Sequence, residues 1–188
     1  MVLGMMLVLG AVWLLWRNSN ESKVAEEKSE QVMQQLIVEM EQSLQDNTNH
    51  LDYKQKEMEE MQIDGEGYVG YLTIPSLKIK LPIKSEWSYS DLQSAPCRYY
   101  GATQTEDLVI AAHNYKSHFG NLKNIKMGER ILFTNVNGKT YEYEAAEVVM
   151  LEATDVELLT NGEFELSLFT CTYDGSSRFV VRCIEIEK

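Results

Sequence analysis

Ser167-Leu168-Phe169-Thr170-Cys171, followed after a polar loop by Arg178-Phe179-Val180-Val181-Arg182, is the stretch from which the fold can be worked out. Side chains alternate along a strand, so Leu168 and Thr170 share one face, and Phe169 and Cys171 share the other. The loop contains the turn-forming cluster Asp174-Gly175-Ser176, and the β-branched run after it predicts a returning strand. We therefore predict a β-hairpin with the loop at 172–177, in which Cys171 faces Arg178 and Ser167 faces Arg182.

The position of Cys171 at the end of a strand bears on its chemistry. A lone cysteine in this position is most often an inert thiol. A nucleophilic cysteine reacts as the thiolate, so it needs some exposure and a positive or proton-accepting neighbour. Arg178, on the opposite strand, supplies a positive charge.

A candidate acid–base partner for Cys171 ends another predicted strand. The run from Leu108 to Ala112 is apolar at every position, which favours a central strand covered on both faces. His113 ends this run and is followed by a polar loop. His118, five residues further on, competes for the same role, whereas His50 is expected to have no chemical role.

Three elements of the sequence resemble one protein family. Leu168-Phe169-Thr170-Cys171 resembles the TLxTC signature of sortases, the membrane-anchored cysteine transpeptidases of Gram-positive bacteria, with Ser167 in place of the first threonine. An apolar strand ending in histidine precedes the signature, with Ala111 two residues before His113 as in the family. An Arg-apolar-Val-Val strand follows it. The resemblance covers about 65–187.

The resemblance implies an activity and roles for three residues. Cys171 would attack a carbonyl of an LPxTG-like sorting motif and form a thioacyl enzyme, His113 would act as acid and base, and Arg178 would bind the substrate. The acceptor would be an amine of a cell-wall precursor or a lysine of another surface protein. The resemblance implies no cofactor. Candidate substrate-binding residues of lower priority are Ala111, Phe169, Thr170 and Val180.

Two other classes of function stay open at this point. The chain could be a cysteine peptidase or hydrolase that uses water as the acceptor. It could also be a surface β-module without catalytic activity. Assays with and without an added amine, and labelling with a thiol-reactive substrate mimic, distinguish these alternatives.

Composition limits the partners and the role of the remaining cysteines. The net charge of −12 over 188 residues excludes a nucleic-acid partner. The three cysteines have no metal-ligand spacing. We expect Cys97 and Cys183 to be unpaired, with a disulfide between them as the alternative. The following acidic residues favour solubility over a calcium site, and we assign no metal: Asp155, Glu157, Glu163, Glu165.

The first part of the chain divides into two segments. Residues 1–17 are predicted to be a transmembrane anchor, although the apolar run to Trp16 is shorter than the roughly 20 residues that a span needs. A short basic segment before Met1 would complete such an anchor. The resemblance, not the charge pattern, gives the orientation: a single-pass protein of the cell membrane with an extracellular catalytic domain.

Residues 18–63 are predicted to be a helical juxtamembrane stalk with a thin apolar stripe at Val32, Leu36, Met40 and Leu44. We expect a solvated stalk, with an arm that packs over the active site as the alternative.

Residues 64–188 are predicted to be the catalytic domain. Many short strands with turn signals predict an all-β, closed barrel, and the resemblance implies eight strands. Asn137-Gly138 predicts a type I′ hairpin turn. Short helical pieces are expected around Ser90 and Asn121.

Overall fold

The computed structural model describes residues 2–46 and 58–186, and His50 lies outside this part of the chain. A long helix, α1, comes first (Val2–Asp46), and a single-turn helix, α2, lies at Val156–Leu159. Short 3₁₀ helices occur at Pro75–Leu77, Asp91–Gln93 and Phe119–Asn124. The strands are β1 (Met61–Ile63), β2 (Glu66–Ile74), β3 (Ile79–Lys84), β4 (Cys97–Tyr100), β5 (Leu108–Ala112), β6 (Arg130–Asn135), β7 (Thr140–Glu152), β8 (Leu166–Cys171) and β9 (Ser177–Glu185).

Eight of the strands close into a barrel. Their order is β2-β3-β4-β5-β8-β9-β7-β6, and β6 pairs back to β2. The short strand β1 adds to the start of β2, outside this ring. The predicted all-β closed barrel is confirmed, with β1 as a strand that the prediction did not contain.

The barrel interior is filled from alternate positions of its strands. On β7, Tyr141, Tyr143 and Ala145 point inward and are buried, while the intervening glutamates are not. β5 is buried at every position because a second apolar cluster covers its outer face. This arrangement agrees with the prediction of a central strand that is covered on both sides.

A type I′ turn is present, but at a different place from the one predicted. Asp64 and Gly65 have φ of 52° and 81°, and they join β1 and β2 as a two-residue loop. The prediction of a type I′ turn at Asn137-Gly138 is wrong, because only Gly138, with φ of 76°, adopts a positive angle. There the Gly138 N–H donates to the Asn135 carbonyl at 3.0 Å. Asn135 N–H also donates to the Lys139 carbonyl at 3.0 Å, so the loop consists of the three residues 136–138. A type I′ turn has a two-residue loop.

Helix α1 is continuous through the segment predicted as an anchor. Its apolar side chains from Met5 to Trp16 are exposed. Within the described residues, no helix is both long enough and apolar enough to cross a membrane. The transmembrane helix predicted for residues 1–17 is therefore not supported.

The later part of α1 lies on the barrel. Its buried positions recur three or four residues apart, at Ala25, Ser29, Met33, Leu36 and Met40. Leu44, which the apolar stripe included, is half exposed. This packing is that of the arm considered in the sequence analysis, and it brings α1 next to the loop that follows β5.

Candidate active site

Cys171 and Arg178 are paired across the β8–β9 hairpin. The register also pairs Ser167 with Arg182, as predicted from the loop length. Cys171 is exposed, whereas Cys97 and Cys183 are buried. Burial raises the pKa of the Cys97 thiol to about 12 and also raises the pKa of Cys183. Because a buried thiol with a raised pKa rarely ionises, Cys171 is the cysteine suited to react.

The other two cysteines are on different sides of the barrel wall. Cys183 belongs to the interior core, and Cys97 belongs to the apolar cluster that covers the outer face of β5 and β8. All three cysteines are free. The expectation that Cys97 and Cys183 do not pair is confirmed.

The parallel pairing of β5 and β8 puts His113 and Cys171 at adjacent strand ends. Their register pairs Ala112 with Thr170, so the next residue on each strand is His113 and Cys171. Adjacent strands lie roughly 5 Å apart. Alternation puts His113 on the same face as Ala111 and Cys171. Burial lowers the pKa of His113, and the nearby Glu21 acts in the opposite direction.

One nitrogen of the Arg178 guanidinium has no hydrogen-bond partner among the described residues. The guanidinium lies over the Phe169 ring, 5.4 Å from the ring centroid. Its Nη1 is buried and makes no hydrogen bond with the described residues. The first backbone amide of the loop is occupied, because Thr172 N–H donates to the Ser177 carbonyl at 2.9 Å. Arg178 is thus better placed than this amide to bind a carbonyl oxygen at the thiol.

Arg182, four residues further along β9, has a hydrogen-bond partner for each of its two terminal nitrogens. Its Nη1 is 3.0 Å from Glu147 Oε2, and its Nη2 donates to the Leu158 carbonyl at 2.9 Å. The guanidinium also lies 5.1 Å from the centroid of the Phe164 ring. Glu147 is thus the carboxylate that pairs with Arg182.

His118 is held away from solvent. The side chain is fully buried, and its Nε2 is 3.4 Å from Ser29 Oγ on α1. Burial, with a smaller effect of His113, lowers the pKa of His118 to about 4. The imidazole is therefore neutral and packed against the helix, while His113 lies at the end of the sheet next to the thiol.

The candidate substrate-binding residues divide between the two faces of the sheet. Ala111, Phe169 and Val180 belong to the outer apolar cluster on the Cys171 side. Thr170 is buried on the opposite face, toward the barrel interior, and its Oγ1 has no hydrogen-bond partner among the described residues. Its side chain is not directed toward a peptide at Cys171.

A series of aromatic rings leads from the site across the sheet. Phe169 contacts Tyr99 with ring centroids 5.2 Å apart, and Tyr99 contacts Trp87 at 5.0 Å. Trp87 contacts Tyr89, which is 77% exposed. The sequence analysis did not select these residues. Three aromatic side chains in the otherwise polar stretch 84–99 were the signal that could have found them.

The acidic stretch before β8 does not form a metal site among the described residues. Within residues 2–46 and 58–186, no group of three or more His, Cys, Asp or Glu side chains is arranged to hold a metal ion. Part of the stretch forms α2, and the carbonyl of Leu158 in this helix accepts a hydrogen bond from Arg182.

Comparison with known proteins gives one family. The family model of the Sortase domain matches residues 72–186, which is more than half of the chain. No curated protein matches the chain by sequence.

Solved structures of sortases are similar in fold. Sortase A from Corynebacterium diphtheriae has 19% identity and a TM-score of 0.60, with 95% of this chain and 96% of that chain covered. Sortase C from Streptococcus pneumoniae, a structure that bears on pilin substrate specificity, has 19% identity and a TM-score of 0.58, with 86% and 96% covered. Sortase C1 from Streptococcus suis has 26% identity and a TM-score of 0.55, with 64% and 74% covered. These neighbours belong to more than one class of sortase, and they assign no class to this chain.

Proposed function

Because the chain belongs to the sortase family, we propose that it is a cysteine transpeptidase that cleaves an LPxTG-like sorting motif and transfers the cleaved protein to an amine. The main observation behind this proposal is that an exposed thiol, Cys171, is paired across the hairpin with Arg178. The Nη1 of Arg178 makes no hydrogen bond with the described residues. His113 lies alongside on the neighbouring strand. These three residues are the proposed catalytic residues.

The first half of the reaction forms a thioester. The Cys171 thiolate attacks the carbonyl carbon of the scissile peptide bond, and a carbon–sulfur bond forms. The carbon–nitrogen bond then breaks, and the leaving amine takes a proton from His113. The C-terminal fragment of the substrate departs, and the N-terminal part stays on Cys171 as a thioacyl enzyme.

The second half of the reaction transfers the acyl group. An incoming amine attacks the thioester carbonyl and gives its proton to His113. The carbon–sulfur bond breaks, and the Cys171 thiolate is regenerated. The lowered pKa of His113 suits the step in which it acts as a base, because burial favours the neutral imidazole.

Arg178 stabilises the charge that develops on the carbonyl oxygen. Its buried Nη1 has no partner among the described residues, and its guanidinium is held over Phe169. A donor aimed at such an oxyanion contributes about 3 kcal/mol to transition-state stabilisation. Arg178 therefore takes the part that backbone amides play in other cysteine enzymes.

The proposed partners follow from the family. The donor is the sorting-motif peptide of a surface protein. The acceptor is an amine of a cell-wall precursor or a lysine of a pilin-type protein, and the pilin substrate specificity of the similar Streptococcus pneumoniae structure favours including the second choice in an assay. We propose a membrane-associated, extracellular catalytic domain. The exposed apolar side chains from Met5 to Trp16 support attachment through residues 1–17.

Mass spectrometry of the enzyme with a library of sorting-motif peptides tests the proposal. We expect a thioacyl adduct on Cys171 and none on Cys97 or Cys183. We also expect His113→Ala to slow turnover by several orders of magnitude and His118→Ala to slow it much less. A surface β-module without activity would form no adduct with any peptide.

Adding an amine separates a transferase from a hydrolase. With glycine peptides or a lysine-containing peptide present, a transpeptidase yields the ligated product at the expense of the hydrolysed one. If cleavage proceeds at the same rate with or without an amine and no ligated product forms, the chain is a cysteine peptidase with water as its acceptor.

A further inference from the structure

Helix α1 is fastened to the loop that carries His113. The Ser117 hydroxyl donates to the Ser22 carbonyl at 3.0 Å, and the two serine hydroxyls are 3.2 Å apart. Two turns further along the helix, Ser29 Oγ lies 3.4 Å from His118 Nε2. Ala25, between these two contacts, is 1% exposed, so the helix approaches the loop closely.

Tyr115 lies between α1 and His113. Its ring is tilted by 33° against the His113 imidazole, with the ring centroids 4.8 Å apart. The pKa of Tyr115 is raised, first by burial and then by Glu21 of α1. Glu21 is itself paired with Arg17 at 2.8 Å. One side of Tyr115 thus contacts the proposed acid–base residue, and the pKa of its hydroxyl responds to Glu21 of α1.

We propose that Glu21 and Tyr115 are positioning residues for His113, so that α1 is part of the active site. This inference rests on the acid–base role proposed above for His113. The imidazole comes directly after the last residue of β5, where the sheet no longer restrains it. The stack with Tyr115 then orients the ring toward Cys171, and the serine contacts hold the loop that carries Tyr115 against α1.

The charge of Glu21 has a second effect on the same imidazole. A carboxylate near the ring favours the imidazolium, which is the form that protonates the leaving amine. The other titratable or charged groups closest to His113 are Arg17 of α1, Tyr115 and His118 of the loop, and Cys171 and Arg178 at the neighbouring strand ends, whereas Lys116 of the loop and Lys23 and Glu26 of α1 are exposed. Glu21 is the one carboxylate among the closest groups, so its removal favours the neutral imidazole.

Variants of the full chain in detergent test the effect of the charge. Glu21→Gln removes the charge and keeps the shape, and Glu26→Gln is the matched control because Glu26 is exposed on the same helix. The first measurement is the NMR titration of His113, which needs no substrate. We expect Glu21→Gln to lower the pKa of His113 and Glu26→Gln to leave it unchanged. The pH–rate limb that reports loss of the His113 proton moves to lower pH in the same variant.

Variants of Tyr115 test the stack itself. Tyr115→Ala removes the ring, and we expect kcat to fall by roughly 10- to 100-fold with KM for the peptide little changed, because a misplaced acid–base group slows chemistry more than binding. Tyr115→Phe keeps the ring and should restore most of kcat. Equal urea unfolding midpoints for Tyr115→Ala and the wild type exclude a general loss of folding as the cause.

Two results would overturn the positioning role. One is an identical His113 titration in Glu21→Gln and Glu26→Gln. The other is a Tyr115→Ala enzyme with the kcat of the wild type. Failure of the proposed function is recognised separately, since the wild type would then form neither a ligated product nor an adduct on Cys171, whereas the NMR titration would still decide whether Glu21 acts on His113.

Discussion

The two ends of the β8–β9 hairpin carry the same kind of residue pair in different surroundings. At one end Cys171 faces Arg178, and at the other Ser167 faces Arg182. Arg182 is bonded to Glu147 and to the Leu158 carbonyl, whereas Arg178 keeps a buried Nη1 without a partner among the described residues. An unpaired buried donor is costly and uncommon in a folded protein, so the free Nη1 supports the role proposed above for Arg178. On this comparison we propose that the Arg178 end is the reactive end of the hairpin.

The largest expected effect is at the nucleophile. Cys171→Ala should abolish both cleavage and transfer, a loss of at least about 10⁴-fold, because no other exposed thiol is present among the described residues. Ser167→Ala, at the matched position of the far end, should keep nearly all activity. The measurement is kcat/KM with one peptide and one amine. Substantial turnover by Cys171→Ala would end the cysteine-enzyme hypothesis.

Substitution of Arg178 is expected to give the next largest loss of activity, and substitution of Arg182 a much smaller one. Arg178→Ala should lower kcat/KM by about 10²- to 10³-fold, the usual loss when one oxyanion donor is removed. Arg178→Lys should also be severely impaired, since an ammonium lacks the planar set of donors of a guanidinium. Arg182→Ala should stay within a few-fold of the wild type, because Arg182 lies roughly 13 Å further along the strand. Near-normal rates for both Arg178 variants would remove Arg178 from the mechanism.

The sequence predicts the hairpin end of the site well, because local rules determine it. The loop length alone determines which arginine faces Cys171, and the apolar run Leu108–Ala112 determines that β5 is central. The parallel pairing of β5 with β8 then brings His113 next to Cys171. The family resemblance supplied the chemical roles, which stay proposals for Cys171, His113 and Arg178.

The contribution of α1 could not be predicted in the same way. Its contact face near the site consists of Ser22, Ala25 and Ser29, small or polar residues that give almost no hydrophobic signal. The stripe that was visible, around Leu36 and Met40, lies about two to five turns away from these contacts. The position of the type I′ turn could not be predicted from the sequence either. Asp64-Gly65 and Asn137-Gly138 are equally good signals, and the pairing of the neighbouring strands decides which of them adopts the turn.

The two histidines also differ in burial, and this difference predicts that the free energy of unfolding depends on pH. His118 has its pKa lowered to about 4 by burial, and its usual value in an unfolded chain is 6.5. Between these values the unfolded chain binds more protons, so stability is complete above pH 6.5 and falls as the pH drops toward 4. The expected loss at pH 5 is about 2 kcal/mol.

Urea unfolding at pH 7 and pH 5 measures this loss. His118→Gln keeps a donor for Ser29 but does not titrate, so the difference between the two pH values should be smaller in the variant by about the same amount. His113→Gln is the comparison: burial also lowers the pKa of His113, but His113 is only partly buried, so this variant should change the pH dependence less than His118→Gln. Equal pH dependence of the wild type and His118→Gln would show that the contact with Ser29 does not require a neutral imidazole.

The smallest expected effects are those of the two arginines on stability, and their order is the reverse of the order expected for activity. In unfolding experiments Arg182→Ala should be the more harmful arginine variant, by about 1–2 kcal/mol, since it loses an ion pair and leaves the Leu158 carbonyl without its donor. Arg178→Ala should cost less, because it loses only the contact over Phe169, worth about 0.5–1 kcal/mol. A double-mutant cycle of Arg182→Ala with Glu147→Gln should give a coupling of up to about 1 kcal/mol, the range of partly exposed ion pairs. One arginine would then matter mainly for stability and the other mainly for turnover. If Arg178→Ala proved the more destabilising of the two, its loss of activity would have a structural cause, and the unpaired Nη1 would no longer identify the reactive end.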